Sequence, residues 1–152
     1  MKYWLMKNEP LEFGIDHLIK IPGQVHYWDG IRNYQARNMI RDEMKVGDLA
    51  FFYHSSCKPP GIVGIIEIVK EAYPDFTAFD PNSNYYDPGS SPSNPRWLMV
   101  DVKLKQKFPR MITLQELREK ASLSGMRVLQ KGNRLSITPV SKQEWETILS
   151  MV

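Results

Sequence analysis

Apolar positions alternate or recur along the chain with a period that changes several times, and each change proposes an element. Lys2–Lys7 alternates, with Tyr3 and Leu5 facing one way and Trp4 and Met6 the other, which predicts a short strand that Pro10 cannot extend. Ile15–Ile19 is a brief helix candidate stopped by Pro22-Gly23, and the aromatic pair Tyr27-Trp28 sits on the turn signal Asp29-Gly30. From Arg32 to Glu43 there is neither Gly nor Pro, and Ile31, Ala36, Met39, Ile40 and Met44 fall on one helical stripe. Leu49–Tyr53 and Val63–Ala72 are apolar and β-branched runs separated by a polar, Pro-rich segment, the pattern of a paired hairpin.

Pro74 to Pro95 contains five prolines, so it is irregular, yet it also carries Phe79, Tyr85 and Tyr86. A long aromatic loop in a domain of this size is more often functional than idle. Trp97–Phe108 alternates again, with its lysines on the solvent side, and predicts a long strand. Thr113 with Glu116 forms a capping-box pattern before a short helix to Lys120. Arg134–Thr138 reads as a last strand, and Ser141 caps a helix over Lys142–Met151 with Trp145, Ile148 and Leu149 as its apolar face. Long strands that follow one another without intervening helices do not fit a doubly wound parallel sheet. The expected architecture is α+β: one domain over residues 1–152, with a mixed, mostly antiparallel, barrel-like sheet and peripheral helices.

The composition, 42% apolar and 24% charged over 152 residues, suits one globular domain and excludes disorder, collagen and coiled coil. The longest apolar runs, Leu49–Tyr53 and Ile62–Ile66, are far short of the roughly 20 residues of a membrane span. The four apolar residues before Lys7 are too few for a signal-peptide core of about 7 to 15, and a single cysteine, Cys57, rules out an internal disulfide, so an intracellular protein is expected. Residues 1–76 carry 9 basic and 10 acidic side chains, whereas residues 77–152 carry 11 and 7. Lys103, Lys105, Lys107 and Arg110 form one basic stripe of the second half, and Arg127, Lys131 and Arg134 another, which makes a polyanion partner plausible beside the plainer reading of a solvated face.

Catalytic signals are weak. His54, Ser55, Ser56 and Cys57 put a base and nucleophiles in one loop, but triads are assembled by folds rather than by neighbouring positions. The carboxylates are scattered, no phosphate-binding glycine loop occurs, and the histidines and cysteine lack zinc spacing, so neither cofactor nor metal is expected. Loop aromatics say more. Trp28 and the pair Tyr85-Tyr86 can form a stacking pocket or plug the end of the sheet, and Asn8 and Asn33 can read a base edge or serve as turn and cap residues.

The runs Tyr3-Trp4-Leu5-Met6-Lys7-Asn8-Glu9-Pro10, Trp28-Asp29-Gly30-Ile31-Arg32-Asn33-Tyr34-Gln35-Ala36-Arg37-Asn38, Phe52-Tyr53-His54-Ser55, Tyr85-Tyr86-Asp87-Pro88 and Arg134-Leu135-Ser136 together resemble the EVE domain family, in order and over essentially the whole chain. The resemblance implies a PUA-like fold, similarity to the YTH readers of methylated adenine, and a reader of modified bases in DNA or RNA rather than a catalyst. It also implies a cytoplasmic protein in a bacterium or a nuclear one in a eukaryote. Carried over by position, Trp28 and Tyr85 become cage walls, Lys7, Asn8, Asn33, Tyr53, His54 and Ser55 line the base pocket, and Arg134 contacts phosphate. Arg37, Lys103 and Lys105 are added as phosphate contacts on charge. The family usually reads Lys-Ser-Glu-Pro where this chain has Lys7-Asn8-Glu9-Pro10; asparagine keeps a hydrogen-bonding group but adds bulk, which bears on the modification preferred. Two alternatives use the same residues: a sensor of a free nucleoside-like molecule, and a nuclease or base hydrolase built on His54, Glu9 and Lys7.

Overall fold

The first strand, β1 (Tyr3–Asn8), does not pair with its sequence neighbour but lies parallel to β3 (Leu49–His54), Tyr3 opposite Leu49 and Asn8 opposite His54. The computed structural model describes Met1–Val152. Between the parallel partners run α1 (Pro10–Phe13), α2 (Ile15–Lys20), β2 (Val25–Trp28) and α3 (Tyr34–Asp42). A tight turn cannot join parallel strands, so a crossover of this length is required. After β3 the chain returns as β4 (Gly61–Pro74), crosses the aromatic loop, and continues as β5 (Leu98–Thr113), α4 (Leu114–Glu119), β6 (Ile137–Val140) and α5 (Lys142–Leu149).

The six strands hydrogen-bond in the order β2-β5-β4-β3-β1-β6, antiparallel except for β1 with β3. The order has two ends, so the mixed sheet is open and does not close on itself as the barrel-like expectation had it. Strand alternation gives each face its own core. Trp4, Met6, Phe52, Ile66 and Val100 point to one side, where α2 and α3 cover them with Leu18, Ala36, Met39 and Ile40. Leu5, Phe51, Tyr53 and Phe108 point to the other, against Leu117, Trp145 and Ile148. Each fully buried large side chain contributes roughly 1.5–3 kcal/mol, so the two layers together hold the sheet in place.

The helix ends follow their caps. Asn33 Oδ1 accepts from the Ala36 amide at 3.1 Å and starts α3, Thr113 with Glu116 starts α4, and Ser141 with Glu144 starts α5. Several boundaries differ from the sequence expectation. Val25–Trp28 is an edge strand rather than part of a turn, β5 runs on to Thr113, and the last strand is Ile137–Val140. Pro109 is tolerated inside β5 because it falls in the irregular stretch between the Gly64–Lys107 and Ile62–Ile112 pairs, where no ladder bond needs its missing N–H. Leu149, expected on the buried face of α5, is 39% exposed. No helix is long and apolar enough to cross a membrane.

Candidate functional site

Asp75, directly after Pro74 at the end of β4, organises the loops over one end of the sheet. It is fully buried, and its carboxylate accepts from the Thr77 amide (2.8 Å) and hydroxyl (2.5 Å), the Gly30 amide (3.0 Å) and the Arg32 guanidinium (3.0 Å). Four donors, one of them charged, offset the cost of burying the carboxylate. They also tie the turn after β2 to the aromatic loop. Arg32 reinforces that tie by donating to the Tyr85 carbonyl at 2.7 and 3.1 Å. The Tyr85 ring then rests on Gly30, which sits at φ +80° and has no room for a Cβ: one built there would lie 2.6 Å from the ring. Across the site the Tyr85 hydroxyl donates to Glu12 at 2.6 Å; burial first, and that carboxylate second, push the phenol well above its ordinary range. Farther along the loop Asp87 accepts from Trp97 Nε1 (2.7 Å), the Gly89 amide (2.9 Å) and Arg96 (3.1 Å), and Trp97 stacks on Tyr34.

Two adjoining clefts flank the Tyr85–Glu12 contact and share Asn8, Glu12, Asp29 and Tyr85. The first, of about 440 Å³, opens between Gly30 and Tyr85 on one lip and Lys7, Ser55, Arg134 and Ser136 on the other. Its second lip is built by strand ends: the Ser55 amide donates to the Asn8 carbonyl beyond the parallel β1–β3 pair, and the Lys7 amide to the Ser136 carbonyl at the start of the antiparallel β1–β6 pair. Burial lowers the pKa of Lys7, whose ammonium lies 5.6 Å from the centre of the Tyr53 ring. The second cleft, of about 570 Å³, carries His26, Tyr27 and Phe76 with Asp29 and Asp80. The Asp29 carboxyl is held above its ordinary pKa by burial and then by the charge of Asp75. A space of this size with an aromatic wall, amide and hydroxyl groups, the cations Lys7 and Arg134 and the carboxylates Glu9, Glu12 and Asp29 is suited to hold a planar polar ligand such as a nucleobase.

Of the residues expected at a base pocket, the first cleft gathers Lys7, Asn8, Ser55, Tyr85 and Arg134, with Trp28 reaching it from the core. Trp28 is not an exposed loop aromatic: it ends β2, is 2% exposed and meets Phe13 and Phe52 edge-on, because the pleat turns it inward. Asn33 lines neither cleft and is spent on capping α3. Tyr53, one residue past Phe52, points to the opposite core and is 3% exposed. His54 lines neither cleft; its Nε2 accepts from the Ile15 amide at 3.1 Å at the start of α2, and burial lowers its pKa. That use of the imidazole lone pair leaves it without a free base nitrogen there for Ser55 or Cys57, and burial pushes the Cys57 thiol up.

The expected phosphate contacts separate as well. Arg37 donates to the Asn38 side chain and the Arg96 carbonyl and packs on Tyr34. Lys105 pairs with Glu67, and neither it nor Lys103 lines a cleft. Sequence reasoning missed Glu12, Asp29, Gly30, Arg32 and Asp75 as parts of the site. Asp29-Gly30 was visible as a turn signal and Pro74 as the start of the irregular aromatic loop, but the pairing of Gly30 with Asp75 across 45 residues was not.

Residues 2–151 match the EVE domain family model. The chain belongs to the EVE domain family. Human thymocyte nuclear protein 1 is 46% identical over 165 residues, covering 98% of this chain and 73% of that protein. Among solved structures, a protein from Pseudomonas putida superimposes with a TM-score of 0.93 at 48% identity, covering 98% of both chains. The human THYN1 protein in complex with 5-methylcytosine-containing DNA superimposes with a TM-score of 0.90 at 48% identity, covering 99% of this chain and 97% of that one. The six-stranded mixed sheet of this EVE domain is thus the family's PUA-like fold.

Proposed function

We propose that this EVE domain is a binding module for a modified base in DNA or RNA, and that the base lodges in the cleft between Gly30–Tyr85 and Lys7–Arg134. The observation that carries the reading is the convergence of Lys7, Asn8, Ser55, Tyr85 and Arg134, distant in sequence, on one cleft of about 440 Å³. The human relative solved with 5-methylcytosine-containing DNA supports the ligand class.

A base reaches such a cleft unpaired or flipped out of its stack. Its ring packs against Tyr85, a contact worth roughly 1–3 kcal/mol per stacked base. Asn8 keeps its amide N–H groups for the ligand, because its Oδ1 already accepts from the Glu9 amide at 2.9 Å, and Ser55 adds a hydroxyl. A single methyl group contributes only about 0.8 kcal/mol by burial, so selectivity for a modification rests on cleft shape and water exclusion as well. Lys7 and Arg134 hold the adjoining phosphates without reading sequence. Arg37, Lys103 and Lys105 lie outside the cleft and serve only a longer strand. The module binds without turnover, and its nucleic-acid ligand implies action inside the cell.

The test is a screen of the purified protein at one fixed salt against matched modified and unmodified oligonucleotides, single- and double-stranded, with the free nucleosides alongside. Tighter binding to one modification in an oligonucleotide supports the reader. Equal or absent oligonucleotide binding refutes it, and tight binding of a free nucleoside alone moves the cleft to a small-molecule role.

A further inference from the structure

At the junction of the two clefts most polar groups are already engaged. Glu12 accepts from Tyr85, and Asp75 is saturated by four donors. Asp29 is different. It lines both clefts, is half-buried, and shares the Thr77 hydroxyl with Asp75, to which that hydroxyl gives its proton at 2.5 Å. Resting on the modified-base reading above, we infer that Asp29 is the specificity-determining residue that reads the edge of the bound base, and that it selects an edge carrying an amino group beside an unprotonated ring nitrogen. Cytosine-type and adenine-type bases share that edge.

The hydrogen-bond pattern is two-point. The protonated carboxyl donates its hydrogen to the ring nitrogen while its other oxygen accepts from the exocyclic amine. Where the free protein carries Asp29 ionised, binding takes one proton from solvent and the complex holds it between carboxyl and ring nitrogen. Thymine differs from 5-methylcytosine only at this edge: it presents an N–H beside a weakly basic carbonyl. An ionised Asp29 can accept that N–H without taking up a proton. The surroundings favour the protonated acid. Burial first, and the charge of Asp75 second, oppose its ionisation; its own backbone amide, Thr77 and the charge of Arg32 partly offset them, and His26, Tyr27 and Tyr85 face it from β2 and the aromatic loop. Glu12 adjoins it at the junction, Glu9 shares the first cleft with it and Asp80 the second, while Lys7 and Arg134 stand on the far lip.

The experiment measures affinity from pH 5.5 to 8.5, at fixed ionic strength, for one single-stranded oligonucleotide carrying 5-methylcytosine, adenine or thymine at a single site. For the unmodified chain the 5-methylcytosine affinity falls with pH, by up to about tenfold per pH unit once Asp29 is ionised in the free protein, while the thymine affinity stays level. The adenine arm shows whether the cleft takes both amino-bearing rings or only the pyrimidine. Asp29→Asn, which offers N–H and C=O without titrating, flattens the 5-methylcytosine profile; Asp29→Leu removes the preference over thymine. His26→Gln keeps the slope, which assigns the proton to Asp29 and not to the neighbouring imidazole. A level profile in the unmodified chain, a slope that survives Asp29→Asn, or an unchanged preference in Asp29→Leu overturns the inference while leaving the reader in place. Absence of binding to every oligonucleotide overturns the modified-base reading itself and this inference with it.

Discussion

Gly30→Ala probes the wall of the cleft without touching a ligand-binding group. The substitution places a methyl 2.6 Å from the Tyr85 ring, so the ring must retreat by about 0.8 Å to reach the 3.4 Å of ordinary contact. That retreat breaks the 2.6 Å bond from the Tyr85 hydroxyl to Glu12, and the backbone at φ +80° becomes strained for any residue with a Cβ. The strain costs about 1–2 kcal/mol and the lost hydrogen bond about 1 kcal/mol. For a domain of this size each kcal/mol shifts Tm by about 2–4 °C, so the melting temperature should fall by about 5–10 °C. Calorimetry of Gly30→Ala, Tyr85→Ala and the double variant separates the two contributions. In the Tyr85→Ala background the clash is gone and only the backbone strain of about 1–2 kcal/mol remains. Equal costs for Gly30→Ala in both backgrounds would refute the packing of Tyr85 on Gly30, and with it the position of the cleft wall.

Trp28→Ala opens a cavity between Phe13 and Phe52 and should cost about 3–5 kcal/mol in urea unfolding; a loss under 1 kcal/mol would mean that the indole is not part of the core. Asp75→Ala leaves Arg32 and the Gly30 and Thr77 amides without their acceptor and should cost about 3–5 kcal/mol, read as a lowered urea midpoint. Asp29 behaves in the opposite sense. Its raised folded pKa makes its contribution most favourable below the unfolded value of about 3.9 and progressively unfavourable as pH rises through the folded value, so Asp29→Asn should raise Tm at pH 7 and not at pH 3.5. Arg134→Ala should weaken modified and unmodified oligonucleotides alike and reduce the salt slope by about 1, whereas Lys103→Ala with Lys105→Ala should change the slope less; the reverse order would move the phosphate track to β5.

Much of the fold was legible because it rests on local rules. The alternation of Trp4 and Leu5 assigned opposite faces that the two cores occupy, the stripe from Ile31 to Met44 is buried throughout, and the Thr113–Glu116 cap lies where its spacing put it. The parallel pairing of β1 with β3 was not legible, since it joins segments more than 40 residues apart that share only hydrophobicity. The site divides along the same line. Lys7, Asn8 and Ser55 are brought to one cleft by that pairing, and Tyr85 and Arg134 by the loops above it. Tyr53 and His54 are their immediate neighbours in sequence but not in role: one step along a strand reverses the face, so Tyr53 joins a core, and His54 is claimed by the start of α2. A motif specifies which residues belong together; the pleat and the caps decide which of them a ligand can reach.

A modified base in the cleft between Gly30–Tyr85 and Lys7–Arg134 would perturb the backbone amides that line it. Amide chemical-shift mapping of the isotope-labelled protein, titrated with a 5-methylcytosine oligonucleotide and with its unmodified twin, tests this most directly. With the base in this cleft, saturable shifts appear at Lys7, Asn8, Gly30, Ser55, Tyr85 and Arg134 and are larger for the modified strand. Shifts confined to β5 around Lys103 and Lys105, or identical for the two strands, would contradict that placement.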